Sequence, residues 1–174
     1  MKFYLSLVIC ALFMACGNDP SKHHLALNEP LGFDSVFEAN SSKLKITSQA
    51  DPSGQKQLIL YFFSSMCDGC EAMAPILSQI NAEQKNAIVY GIMTDSMGFD
   101  KDLALLAFKK INFTTTSAPK SAKYFSQIIG GVAGTPTIVV FDANGNKQKT
   151  FIGVIEKEKI LSELTKNHKL SNLF

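Results

Sequence analysis

Two apolar runs separated by a helix-patterned segment constrain most of what this chain can fold into. Gln57–Phe63 reads QLILYFF, and 87–94 reads AIVYGIMT. A run that is apolar on successive rather than alternate residues is expected of a strand covered on both faces, as in a sheet sandwiched between helices. Between the runs, 71–81 recurs at helical spacing, with Met73, Ile76, Leu77 and Ile80 on one side. Strand, helix and strand in that order imply a right-handed crossover with the two strands parallel. Pro75 falls inside the helix and is expected to kink it.

The remaining pattern completes a mixed sheet. Spacing predicts helices over 100–110, 121–129 and 155–168. TPTIVVFD at 135–142 reads as a strand, Asn144-Gly145 as the centre of a hairpin turn, and KQKTFIG as the returning strand. A short lead-in strand is expected near 44–47, followed by the turn signal DPSG at 51–54. The order β-α-β-α-(α)-β-β-α describes an α/β domain with a central mixed sheet and helices on both faces. No internal repeat is present.

The first residues are of another kind. MKFYLSLVICALFMAC carries one lysine, an apolar run from Phe3 to Ala15 and then Cys16. This is a signal-peptide pattern, shorter than the ~20 apolar residues of a comfortable membrane span. Leu12 to Cys16 resembles the bacterial lipoprotein box, departing from it at the bulky Phe13. That resemblance implies cleavage after 1–15 and lipid attachment at Cys16. Residues 16–43, broken by Asn, Pro, Ser and Lys, read as a lipid-anchored flexible tether with His23 and His24 solvated within it. The folded domain is expected over 44–170, on the periplasmic side of a bacterial membrane.

Charge removes one class of partner. The formal net charge is +2 and all 17 basic residues are lysine. That is too weak an electrostatic footprint for nucleic acid. Without arginine, bidentate guanidinium recognition of phosphate or carboxylate is not open to the chain.

Export also decides the cysteine count. Of four cysteines, Cys10 leaves with the signal and Cys16 takes the lipid, so only Cys67 and Cys70 remain in the body. A disulfide between them closes a very small loop, worth far less than the ~3 kcal/mol of a 15-residue one, so a structural staple is the weak reading. A C-x-x-C where a strand meets a helix start has a clearer use. The helix N-terminus offers free N–H groups and the positive end of its dipole, both of which favour a thiolate. The thiolate is the attacking species in disulfide exchange.

The segment from Phe62 to Leu77, FFSSMCDGCEAMAPIL, resembles the thioredoxin active site: an aromatic strand end, C-x-x-C, and Pro75 five residues after the second cysteine. Downstream, GGVAGTPTIVVFDANGNKQKTFIG resembles the thioredoxin-fold segment that carries a cis-proline, here Pro136. The intervening stretch, with a strand ending in Thr94-Asp95, resembles the TlpA/ResA-like branch of exported, membrane-anchored thioredoxins. The resemblance implies a thioredoxin fold in which Cys67 attacks and Cys70 resolves. It further implies that Thr135 and Pro136, with Met66 at the usual Trp position, bind the substrate strand. Asp68, Gly69, Glu71 and Pro75 would modulate the pair. No cofactor or metal is implied. The implied partners are disulfide-containing exported proteins, apocytochrome c among them, and a membrane thiol-electron donor.

Two departures bear on mechanism. Thioredoxin's buried acid, six residues before the first cysteine, is matched by Tyr61. The acid often found three residues after the second cysteine in the TlpA/ResA-like branch is matched by Met73. Asp68 adds a negative charge beside Cys67, which works against a thiolate there and toward a reductase-like potential. The alternatives are a copper-binding metallochaperone, or an oxidase or isomerase, of the same fold. A metal site usually needs more ligands than one C-x-x-C supplies, and His168 falls at the polar end of the last helix.

Overall fold

The structure, a computed structural model, describes residues 22–25, 35–40, 43–48 and 50–171, with side chains over 43–48 and 50–166. Its centre is a five-stranded sheet. Gln57–Phe63 (β4) lies in the middle, parallel to Ala87–Met93 (β5) on one side and antiparallel to Thr137–Phe141 (β7) on the other. Lys147–Ile152 (β8) pairs outside β7, and Thr115–Thr116 (β6) outside β5. Among the described residues four helices flank it: Asp68–Glu83 (α1), Phe99–Phe108 (α2), Pro119–Ile129 (α3) and Lys157–Ser171 (α4).

The unbroken apolar runs are explained by what lies on each face. In β4, Ile59, Tyr61 and Phe63 point to one core, with Met73, Leu77 and Ile80 of α1, Leu106 of α2, and Ile160 and Leu164 of α4. Leu58, Leu60 and Phe62 point to the other, with Phe125 and Ile129 of α3. All seven residues of β4 and all seven of β5 are buried. At about 1.5–3 kcal/mol per fully buried large apolar side chain, these two strands and α1 are the main source of cohesion. The helix of residues 68–83 runs through Pro75 as one element.

The second face is not covered by helix alone. Lys43–Thr47 (β3) buries Leu44 and Ile46 against it. β3 belongs to a separate three-stranded antiparallel sheet with Lys22–Leu25 (β1) and Ser35–Asn40 (β2). The sequence reading places 16–43 in a tether; within it, 22–25 and 35–40 are strands instead. Their polar residues carry no strong apolar signal, and the ladder to β3 supplies the backbone pairing that local composition does not announce. The segment expected to be a signal peptide, 1–15, and the expected lipid-attachment residue Cys16 lie outside the described residues.

Strand β6 is a further element that the sequence reading does not contain. Its Thr115 pairs with Gly91, where an added Cβ would stand 2.5 Å from Thr115 Oγ1. Only a glycine lets the two strands close there. The hairpin falls where expected: the Gly145 N–H donates to the Asp142 carbonyl at 2.9 Å, with Gly145 at φ +84° as such a turn requires.

Candidate active site

The C-terminal ends of β4 and β5 and the loop before β7 meet at one point, and the two cysteines lie there. Cys67 is the N-cap of α1, with extended backbone at φ −146°. Its Sγ accepts from the Cys70 N–H at 3.1 Å, and its carbonyl accepts from the Cys70 and Glu71 N–H groups at 2.9 and 3.0 Å. A sulfur in the N-cap role faces the helix's unpaired N–H groups, which favours negative charge on it. Cys67 and Cys70 are joined as a disulfide, with Cα atoms 5.1 Å apart. They differ in access: Cys67 is half-buried and Cys70 is 2% exposed. The first can meet a large substrate and the second cannot.

Across from the pair, the Thr135–Pro136 peptide bond is cis, as the family resemblance implies. Pro136 touches the motif directly. A Cβ built on Gly69 would lie 3.1 Å from Pro136 Cδ and 3.3 Å from a methyl of Val154. The ladder between β4 and β7 ends at the Phe62–Thr137 pair, so Thr135 lies beyond the last ladder partner. Thr135 Oγ1 and Ser64 Oγ are 3.2 Å apart, tying the proline loop to the strand end before Cys67. Met66 projects into solvent at 93% exposure, and Val154 is exposed as well. Apolar residues this open beside a reactive sulfur suit contact with another chain.

The floor beneath Cys70 is neutral. Tyr61 is fully buried, and its hydroxyl donates to the Cys70 carbonyl at 2.9 Å. Burial pushes the Tyr61 phenol well above its ordinary value, so it stays protonated throughout the physiological range and is not a base. Met73, also fully buried, accepts at Sδ from the Ile155 N–H at 3.4 Å. Both positions where an acid is found in the resembled families therefore hold structural groups. Asp68 is exposed in the first turn, and the 62%-exposed Glu71 carboxylate pairs with Lys109 at 2.8 Å. Pro75 borders an open groove of about 420 Å³ that also touches Glu71, Phe108 and Lys109.

Sequence reasoning did not reach the residues that hold the strand–helix junction. Ser65 donates from N–H and Oγ to Asp95 just after β5, and its carbonyl accepts from Lys109 at the end of α2. Asp95 is visible in the sequence only as a strand end, and Lys109 only as one lysine of a helical pattern. Among the described residues no group of three or more His, Cys, Asp or Glu could hold a metal ion, and no helix is long and apolar enough to cross a membrane.

Comparison with known proteins agrees with this geometry. A family model described as a thioredoxin-like domain matches residues 45–168. No curated protein matches the sequence significantly. Among solved structures, a Chlorobium tepidum protein named as a candidate thiol:disulfide interchange protein DsbE superposes with TM-score 0.62 at 20% identity, covering 84% of this chain and 92% of its own. StoA from Bacillus subtilis gives 0.59 at 15% identity, over 83% and 96% of the two chains. A candidate thioredoxin from Neisseria meningitidis gives 0.62 at 21% identity, over 74% and 85%. At these identities the likeness is one of fold.

Proposed function

The chain belongs to the thioredoxin-like family, and from that premise we propose that it is an exported, lipid-anchored thiol:disulfide oxidoreductase that reduces disulfides of other extracytoplasmic proteins. One observation carries the reading: a bonded Cys67–Cys70 pair at the start of α1, its inner residue Gly69 packed against a cis-Pro136. A staple or a metal site would not need the proline; a site that must hold a client strand against an attacking sulfur would.

In the reduced protein the Cys67 thiolate attacks one sulfur of the client disulfide. A Cys67–client disulfide forms, the client's own bond breaks, and its other sulfur leaves and takes a proton from solvent. Cys70, deprotonated, then attacks Cys67 Sγ. The Cys67–Cys70 disulfide forms, and the second client sulfur leaves as a thiol once protonated. Two electrons and two protons have passed to the client. A membrane dithiol donor returns two electrons to the pair and restores the cycle. Because Tyr61 and Met73 supply no base, the proton of Cys70 leaves to solvent or to the departing client thiolate.

Asp68 beside Cys67 supports the reductive direction, since it disfavours the thiolate and with it the reduced form. The lipoprotein-like Leu12–Cys16 stretch supports anchoring at Cys16. Apocytochrome c is the client suggested by the TlpA/ResA-like resemblance. The test is to quench cells in acid, alkylate free thiols and read the state of the pair in the membrane fraction. A mostly reduced, membrane-bound protein is expected. A mostly oxidised pair would turn the reading to an oxidase, and a fully soluble protein would remove the anchor.

A further inference from the structure

Ser65, two residues before Cys67, has all three of its polar groups held by α2 and the loop that leads into it. Asp95 accepts from the Ser65 N–H at 2.8 and 3.0 Å and from its Oγ at 2.5 Å. Lys109, the C-cap of α2, donates to the Ser65 carbonyl at 3.3 Å and to Glu71 Oε1 at 2.8 Å. Its side chain is 9% exposed, whereas Glu71 is 62% exposed. One ammonium thus links the residue two before the attacking cysteine to the residue after the resolving one. A lysine stem is long and flexible and normally carries its charge into water. Holding it under the surface is tolerated because the carbonyl and the carboxylate both receive it.

We propose that Lys109 is a positioning residue for thiol exchange, fixing the Ser65–Cys67 junction and offsetting the acidic charge around the Cys67 sulfur. The charged groups at this junction are Asp68 and Glu71 from α1, Asp95 from the loop after β5, and Lys109 from the end of α2. Three are acids, and acids beside a thiol disfavour its ionised form. Lys109 is the cation of the set, paired with the acid nearest in sequence to Cys70. Removing it frees the charge of Glu71 and leaves the Ser65 carbonyl without that donor. The thiolate at Cys67 is then less favoured, the reduced form is less stable, and the pair becomes more reducing.

The inference rests on the exchange role proposed for Cys67, yet it is read on the thiol itself. The pH midpoint of Cys67 alkylation is measured in reduced protein with Lys109→Met, Lys109→Arg and Glu71→Gln, alongside the equilibrium with glutathione. Lys109→Met is expected to raise the proton affinity of Cys67 roughly threefold, the size set by a partly exposed pair, and to move the glutathione equilibrium toward oxidised protein by a similar factor. Lys109→Arg should stay close to wild type, and Glu71→Gln should lower the midpoint. A lower melting temperature with an unchanged midpoint in Lys109→Met would overturn the proposal, as would Lys109→Arg behaving like Lys109→Met. Should Lys109→Met fail to fold, Glu71→Gln decides: an unmoved midpoint there overturns it equally. A wild-type protein inert toward insulin disulfides, with a midpoint still responsive to Lys109, would defeat the proposed function and support this inference.

Discussion

Gly69 is packed against Pro136 so closely that a β-carbon there would stand 3.1 Å from the proline's Cδ. The inner residue of the cysteine motif and the cis-proline, 67 positions apart in the chain, therefore form one surface. Gly69→Ala makes that surface testable. In the first turn of α1 alanine is the better helix former by about 0.5–1 kcal/mol, which offsets some of the crowding, so the melting temperature should move little. Pro136 or Val154 must yield by a few tenths of an ångström. Since about 1 Å of misplacement can cost a hundredfold, a loss on the order of tenfold is expected in reduction of a protein disulfide. Alkylation of Cys67 by a small reagent, which does not touch Pro136, should be unchanged. Equal losses in both assays would show that the glycine serves the sulfur and not the client strand.

The difference in access between the cysteines predicts unequal serine variants. Cys67→Ser removes the half-buried, more accessible cysteine proposed as the attacker and should abolish insulin reduction. Cys70→Ser keeps the attacker but leaves the mixed disulfide unresolved, so it should accumulate a covalent client adduct that dithiothreitol releases. Non-reducing gels of each variant, purified from its native host, provide the readout. Adducts on Cys67→Ser and none on Cys70→Ser would reverse the assigned roles.

How far the fold can be read from sequence depends on how local its cause is. β4 is legible to the residue because both its faces are core, so every side chain from Leu58 to Phe63 reports burial. The cysteine pair and the hairpin at Asn144-Gly145 are legible for the same reason: the chemistry and the backbone demand lie within a few residues. β6 is two residues long and exists because Thr115 and Thr116 reach Gly91 and Ile92. The strands at 22–25 and 35–40 depend on a ladder to β3 that their own composition does not signal. The clamp on Ser65 is the sharpest case. Its two partners lie 30 and 44 residues away, on a loop and a helix end that only tertiary packing brings to the site.

Asp102, wholly shielded from solvent in the first turn of α2, predicts an acid limit on stability. Burial raises its acidity constant's pH, but hydrogen bonds from Ser117, Ser96 and the Met97 N–H outweigh that, and the carboxyl titrates below its ordinary value. A depressed folded value means that ionised Asp102 stabilises the fold above the usual aspartate range, near pH 3.9, and that this contribution fades as pH falls through the folded value. Asp102→Asn should be less stable than wild type at pH 7 by urea unfolding, and the gap should narrow steadily toward pH 2. A gap independent of pH would show that the hydrogen-bond geometry matters and the charge does not.

Tyr61 predicts the opposite limit. Its hydroxyl bonds the Cys70 carbonyl, and burial raises its phenol above the ordinary tyrosine value. Tyr61→Phe should therefore cost about 1 kcal/mol at neutral pH, the usual net value of one such bond. The sign at high pH follows from linkage. In the unfolded chain Tyr61 ionises near pH 10, while in the folded protein it keeps its proton. Above that pH the unfolded state is favoured by each further unit, so wild type loses a stability term that Tyr61→Phe does not have. Denaturant titrations from pH 8 to pH 11 should show the two proteins converging and then crossing as pH rises. If their difference stays constant across that range, the phenol titrates alike in both states and the hydroxyl is not held under Cys70 as described.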